Sequence, residues 1–88
     1  MINLTVTANG NLIFTATENT ISLYDHIDKK TNSMKNCLPN FDEVLHMAKE
    51  IGDYYVRNLK NKVEIKFGKE LIFAWNPETY QGYAWIEE

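Results

Sequence analysis

The chain has 88 residues, nine Lys and Arg against twelve Asp and Glu for a net charge of −3, 44% hydrophobic side chains and a single cysteine. That length holds one domain with one thin core, a lone cysteine excludes an internal disulfide, and the longest apolar run, Leu71-Ile72-Phe73-Ala74-Trp75, is far below the ~20 residues of a membrane-spanning helix. The N-terminus lacks the basic and apolar regions of a signal peptide and the acidic balance does not favour DNA or anionic lipid, so the expectation is one soluble cytoplasmic domain over residues 1–88 with no membrane partner.

Ile2, Leu4 and Val6 alternate with Asn3, Thr5 and Thr7, the period of a half-buried strand. Asn9-Gly10 then turns the chain into Asn11–Thr17. A two-residue turn would pair Val6 with Ile13 and Leu4 with Thr15, sending Leu12, Phe14 and Ala16 to the wrong face. A three-residue Ala8-Asn9-Gly10 loop pairs Val6 with Leu12 and Leu4 with Phe14 and needs positive φ only at Gly10, so it is the preferred reading. After a turn at Glu18-Asn19-Thr20, Ile21, Leu23 and Ile27 alternate with Ser22, Tyr24 and His26 in a third strand, with Asp25 as a flaw in its apolar face. Residues 28–40 carry no strong period and read as a long loop.

Asn40 is a good helix N-cap with Glu43 in capping-box position. Phe41, Val44, Leu45, Ala48, Ile51, Tyr55 and Leu59 then make one apolar stripe along a helix over 41–60. Gly52 near that stripe suggests close approach to the sheet or a bend, and Asn61 is placed to close the helix in a left-handed conformation. Val63, Ile65 and Phe67 form a strand, Gly68-Lys69 a turn, Leu71–Trp75 a strand apolar on both faces, Asn76–Thr79 a turn around Pro77, and Tyr80–Ile86 a last strand. The fold class is α+β: an antiparallel sheet of five to six strands in the order βββ-α-βββ, with meanders at 1–27 and 62–86 and one long helix packed on one face.

Five of the eleven aromatic residues fall in the last sixteen positions. Leu71, Phe73 and Trp75 point one way along their strand and Ile72 and Ala74 the other, a pattern one helix does not cover. Either the sheet curls to bury both sets or the aromatics form a binding surface. Charge is uneven: residues 1–28 and 70–88 contain acids and no base, whereas all nine bases lie in 29–69. Aromatic anchors with an acidic rim suit a basic protein partner. Phe73, Trp75, Tyr80, Tyr83 and Trp85 are therefore the candidate anchors, with Glu78, Glu87 and Glu88 as the rim.

Catalytic and metal constellations are thin. Cys37 has only His26 or His46 as a base, with Asp25 or Asp42 as orienter, and no flanking motif supports a nucleophile. One Cys and two His without paired spacing do not make a zinc site, and four scattered glycines do not make a phosphate loop. No cofactor or metal is expected. The expected function is a non-enzymatic partner-binding protein, an inhibitor or modulator of a larger protein or nucleoprotein complex. The alternative is a nucleic-acid-binding module using Arg57, Lys60, Lys62 and Lys66, and a third reading is a homodimer assembled through its aromatic end.

No motif is specific to a family. The strands-then-helix opening resembles, in topology alone, antitoxin domains of the double-stranded-RNA-binding type, which implies no function. In kind, a short acidic chain rich in Asn, Lys and Ile with a dense aromatic end resembles the small stand-alone proteins of phages and mobile elements, including anti-restriction and anti-CRISPR inhibitors. That resemblance implies occupation of a surface on a nucleic-acid enzyme, and no residue carries over from it.

Overall fold

A computed structural model of the chain describes residues 3–36 and 40–80. Strands β1 (Asn3–Ala8), β2 (Asn11–Thr17), β3 (Thr20–Asp25) and β4 (Lys30–Lys35) precede helix α1 (Phe41–Asn58), and β5 (Val63–Phe67) and β6 (Glu70–Trp75) follow it. They form one six-stranded antiparallel sheet in the order β4-β3-β2-β1-β5-β6 with the helix packed against it. The α+β architecture is the expected one. The described strands divide four before the helix and two after, where three and three were expected.

The first hairpin resolves the conflict between turn and register in an unexpected way. The turn is the two-residue one, with Asn9 at φ 52° and Gly10 at φ 85°, the two positive values of a type I′ turn. Ala8 pairs with Asn11 and Thr7 with Leu12, and then the register shifts so that Val6 meets Phe14 and Leu4 meets Ala16. Ile13 is the extra residue of this bulge. The bulge returns Phe14 and Ala16 to the face of Leu4 and Val6, and all five, Ile13 included, are buried. Asn9 also joins the hairpin to the far end of the helix: its N–H donates to the Lys62 carbonyl and its Oδ1 accepts from the Lys62 N–H, both at 2.8 Å.

The 28–40 stretch is not simply a loop, because Lys30–Lys35 pairs with the whole of β3 as β4. Its sequence KTNSMK shows no apolar period because it is an edge strand whose six residues are all exposed. Backbone pairing, a Ser22–Ser33 hydroxyl contact of 2.8 Å and the Asn36 side chain donating to the Thr17 carbonyl hold it. The third strand stops at Asp25 instead of reaching Ile27, which is 77% exposed in the β3–β4 turn. The Asp25 carboxylate accepts the Ile27 and Asp28 N–H groups there.

Asn40 caps α1 as expected, its side chain accepting the Glu43 N–H at 3.0 Å. At the other end the left-handed residue is Lys60, at φ 55°, rather than Asn61. The Leu59 and Asn61 N–H groups both donate to the Tyr55 carbonyl. The helix lies over β1, β5 and part of β2, burying Val44, Ala48, Gly52, Tyr55 and Val56 against Leu4, Val6, Val63 and Ile65. A second bulge in β6 leaves Ile72 as the extra residue. Leu71 therefore pairs with Lys66 on the open face, while Phe73 and Trp75 join Ile65 and Val63 on the helix face. Leu71 and Phe73 point to opposite faces, not to one.

Gly52 is where helix and sheet come closest. A Cβ built there would stand 3.0 Å from Trp75 Cζ3 and 3.0 Å from Val63 Cγ1. Both neighbours are buried and have little room to yield. A helix-interior Gly→Ala change ordinarily gains about 1 kcal/mol, whereas overpacking a tight core costs roughly 1–3 kcal/mol. Gly52→Ala should therefore lower the urea midpoint, by a net loss on the order of 1 kcal/mol. A raised midpoint would show that Trp75 gives way. Asn9→Ala should cost about 2 kcal/mol, through left-handed strain and the lost bond to Lys62, with Asn9→Gly falling between it and wild type in the same denaturation series.

Candidate functional site

The C-terminal aromatic cluster is placed mostly by internal packing. Trp75 is only 2% exposed and belongs to the core, so it is not a surface anchor. The reason is the close approach at Gly52, which brings the helix down onto the indole. Phe73 is half-buried, 6.0 Å from Trp75 between ring centres, with the Lys49 ammonium 4.7 Å above it. Burial lowers the pKa of that ammonium, and Asp42 partly offsets the effect. Tyr80 folds back after the Asn76–Thr79 turn, its ring 4.9 Å from Trp75 and its hydroxyl donating to Asp53 Oδ1 at 2.6 Å. Glu78 is exposed beside it. Tyr83, Trp85, Glu87 and Glu88, and with them nearly all of the expected last strand, lie outside the described residues, as does Cys37.

The basic candidates do not form one stripe. Arg57 donates to Asp53 Oδ1 at 2.8 Å and sits over the Tyr80 ring on the helix. Lys60 and Lys62 flank the loop after it. Lys66 pairs with Thr5 and Leu71 on the opposite face of the sheet. That open face carries a polar row, with Thr5, Thr15, Ser22 and Ser33 following one another across four strands, and also the exposed Leu12 and Leu71.

A concavity lies on the other flank of the helix. Because α1 lies over β1, β5 and part of β2, no element among the described residues is packed over the inner face of β3–β4. The result is a groove of about 450 Å³, within the size range of ligand sites. Leu23, Tyr24, Asp25 and His26 line it from the end of β3, Asn32 from β4, and Met47, Glu50, Ile51, Tyr54 and Tyr55 from the helix. A second hollow, lined by Asp42, Glu43 and His46, shares Met47 and Glu50 with it. The rim is acidic, and among the described residues no Lys or Arg lines either hollow.

Aromatic and polar groups meet at the inner end. His26 Nε2 lies 3.2 Å from the Tyr54 hydroxyl, and its ring stands 5.6 Å from Tyr54 and 5.7 Å from Tyr55. Tyr55 is 6% exposed, and its hydroxyl, buried, has no hydrogen-bond partner among the described residues. Burial pushes that hydroxyl above the ordinary tyrosine range, and the nearby Tyr24, Tyr54 and Asp25 push it further. Asp25 is held below the usual carboxylate range by the N–H groups of Asp28 and Ile27. His46 is engaged separately, its Nε2 2.7 Å from Glu50 Oε1.

None of the groove residues is a sequence-stated anchor. Asp25 stands out in the sequence as a flaw in an apolar strand face and as one candidate orienter of a thin Cys37–His pairing, and Met47 and Tyr54 lie outside the expected helix stripe. The signal was an apolar arc on α1 wider than one row of sheet contacts needs, with Met47, Ile51 and Tyr54 at three- and four-residue spacings. Among the described residues no group of three or more His, Cys, Asp and Glu is arranged to hold a metal ion, and no helix is long and apolar enough to cross a membrane. No protein-family model, curated protein or solved structure matches the chain.

Removing a buried hydroxyl without a partner spares its desolvation cost. Tyr55→Phe should therefore leave stability at pH 7 unchanged or raise it by up to ~1 kcal/mol, unlike the usual loss for a bonded tyrosine. Because the folded-state pKa lies above the ordinary value of 10.0, the unfolded chain loses this proton first as pH rises. Tyr55 then contributes a loss of stability upward from pH 10, and that contribution is absent in Tyr55→Phe. Paired urea titrations at neutral and alkaline pH check both signs.

Proposed function

We propose that this protein is a non-enzymatic binding module, a stoichiometric inhibitor or modulator that seats a segment of a larger protein in the groove between α1 and the β3–β4 wing. The carrying observation is the groove itself: among the described residues, an apolar floor of Leu23, Met47 and Ile51 under a rim containing Asp25, Glu50, Asp42 and Glu43 and no Lys or Arg. Such a surface selects a basic segment with apolar anchors, because the rim speeds encounter and the floor supplies affinity. Proteins that handle nucleic acid carry basic phosphate-contacting surfaces, and an acidic groove competes for these. The likeness in kind to phage anti-restriction and anti-CRISPR proteins points to the same class of partner.

Panning a random-peptide display library against the folded protein tests this reading. Enriched peptides should be basic, carry two or more apolar residues, and bind more weakly as salt rises. Ile51→Glu should weaken them about tenfold or more, while Lys66→Glu on the open face leaves them unchanged. Absence of enrichment, or enriched peptides indifferent to Ile51→Glu, refutes the groove as the site. Salt-sensitive oligonucleotide binding lost on Lys62→Glu and Lys66→Glu would put the nucleic-acid reading in its place.

A further inference from the structure

We infer that the inner end of the groove, where Tyr54, Tyr55, Asp25 and His26 meet, is a receptor for one arginine guanidinium of the docked segment. The inference rests on the docking reading above and names the chemistry the groove selects.

The first observation is an unmet demand. The Tyr55 hydroxyl is buried at the groove's inner end with no hydrogen-bond partner among the described residues, a costly state that a ligand polar group relieves. The Tyr55 ring stands 5.7 Å from His26 and 5.8 Å from Tyr54, and Asp25 lines the same hollow as all three. The second observation is charge. Asp25 spends Oδ1 on two backbone N–H groups, which keep it ionised without neutralising it. Glu50 adds a second carboxylate on the helix side, shared with His46. Lys30 is the exposed cross-strand partner of Asp25, and no ion pair joins the two among the described residues. The third observation is aromatic surface: His26, Tyr54 and Tyr55 stand 5.6–5.8 Å apart, tilted or edge-on to one another.

These demands converge on a flat cation that only donates hydrogen bonds. A guanidinium presents five donors and no acceptor, is weakly hydrated, and stacks on aromatic faces. It can donate to the Tyr55 oxygen and the Asp25 carboxylate together while its plane rests on a tyrosine ring. An ammonium is compact and strongly hydrated and loses more on entry. A carboxylate is repelled by Asp25 and Glu50, and a neutral amide satisfies Tyr55 but leaves both charges unanswered.

The test follows the aromatic NMR resonances of Tyr54, Tyr55 and His26 during titration with N-acetyl-arginine amide, N-acetyl-lysine amide and N-acetyl-citrulline amide. Citrulline keeps the shape of arginine without its charge. The expected result is saturable shifts of these rings with arginine, about tenfold weaker binding of citrulline, and a several-fold loss in Tyr55→Phe, which retains the fold. Asp25→Asn should remove most of the preference for arginine over citrulline. Equal binding of arginine and citrulline, shifts confined to the Asp42–Glu43 end of the helix, or indifference to Tyr55→Phe would overturn the inference. Its failure is separable from that of the docking reading. Groove-binding peptides that tolerate Arg→citrulline replacement keep docking and discard the guanidinium receptor, whereas arginine binding without any Ile51-dependent peptide does the reverse.

Discussion

Among the described residues a single α-helix has to cover a sheet of six strands. Neighbouring strands are about 4.8 Å apart, so the sheet is roughly 24 Å across, while a helix with its side chains is only about 10–12 Å wide. α1 is seated over β1, β5 and part of β2, near the middle of the sheet order. Both flanks of the inner face are therefore left for something else to fill, and the two are filled differently. On the β6 side the chain uses its own Phe73, Trp75 and Tyr80. On the β3–β4 side the described residues leave a groove.

The filled flank depends on the absence of one side chain. With no Cβ at Gly52, the helix can rest on Trp75 and Val63. That close approach turns Trp75 from a surface aromatic into a core residue and gives Tyr80 a ring to stack on and Asp53 to bond. The two bulges do related work within the sheet. An extra residue at Ile13 and another at Ile72 each shift the side-chain phase by one position, so that Phe14, Ala16, Phe73 and Trp75 all arrive under the helix. The open face keeps its threonines, serines and charged residues, as a solvated antiparallel sheet should.

Much of this was legible in the chain. The helix and its Asn40 cap, the strand periods of 3–8, 11–17 and 63–67, the Gly68-Lys69 and Asn76–Thr79 turns and the close packing at Gly52 all follow from local rules of spacing and conformational preference. β4 was not legible, because an edge strand exposed along its whole length has no apolar period to read. The bulges were not legible either, since they answer a conflict between a turn that favours Asn-Gly and a sheet that needs Phe14 opposite Val6. Of the candidate site, the pairing of carboxylates with apolar residues recurs in the groove, at Asp25 and Glu50 beside Leu23, Met47 and Ile51. Its location differs, because the sequence could count the aromatics at the C-terminal end but not see that the helix descends onto them.

The sequence by itself determined the fold class, the single long helix, the polar open face and the acidic character of the chain. These depend on periodicity, capping and composition, which act over a few residues. Only the tertiary structure decided which apolar residues are spent inside and which face solvent. That outcome depends on where an approximately 10 Å helix is seated on a much wider sheet, a question of geometry between segments distant in sequence. Asp25 and His26 come from the end of β3 and Tyr54 and Tyr55 from the last turns of α1, nearly thirty residues later. They become one site only because β5 returns to pair with β1 and draws the helix across the middle of the sheet.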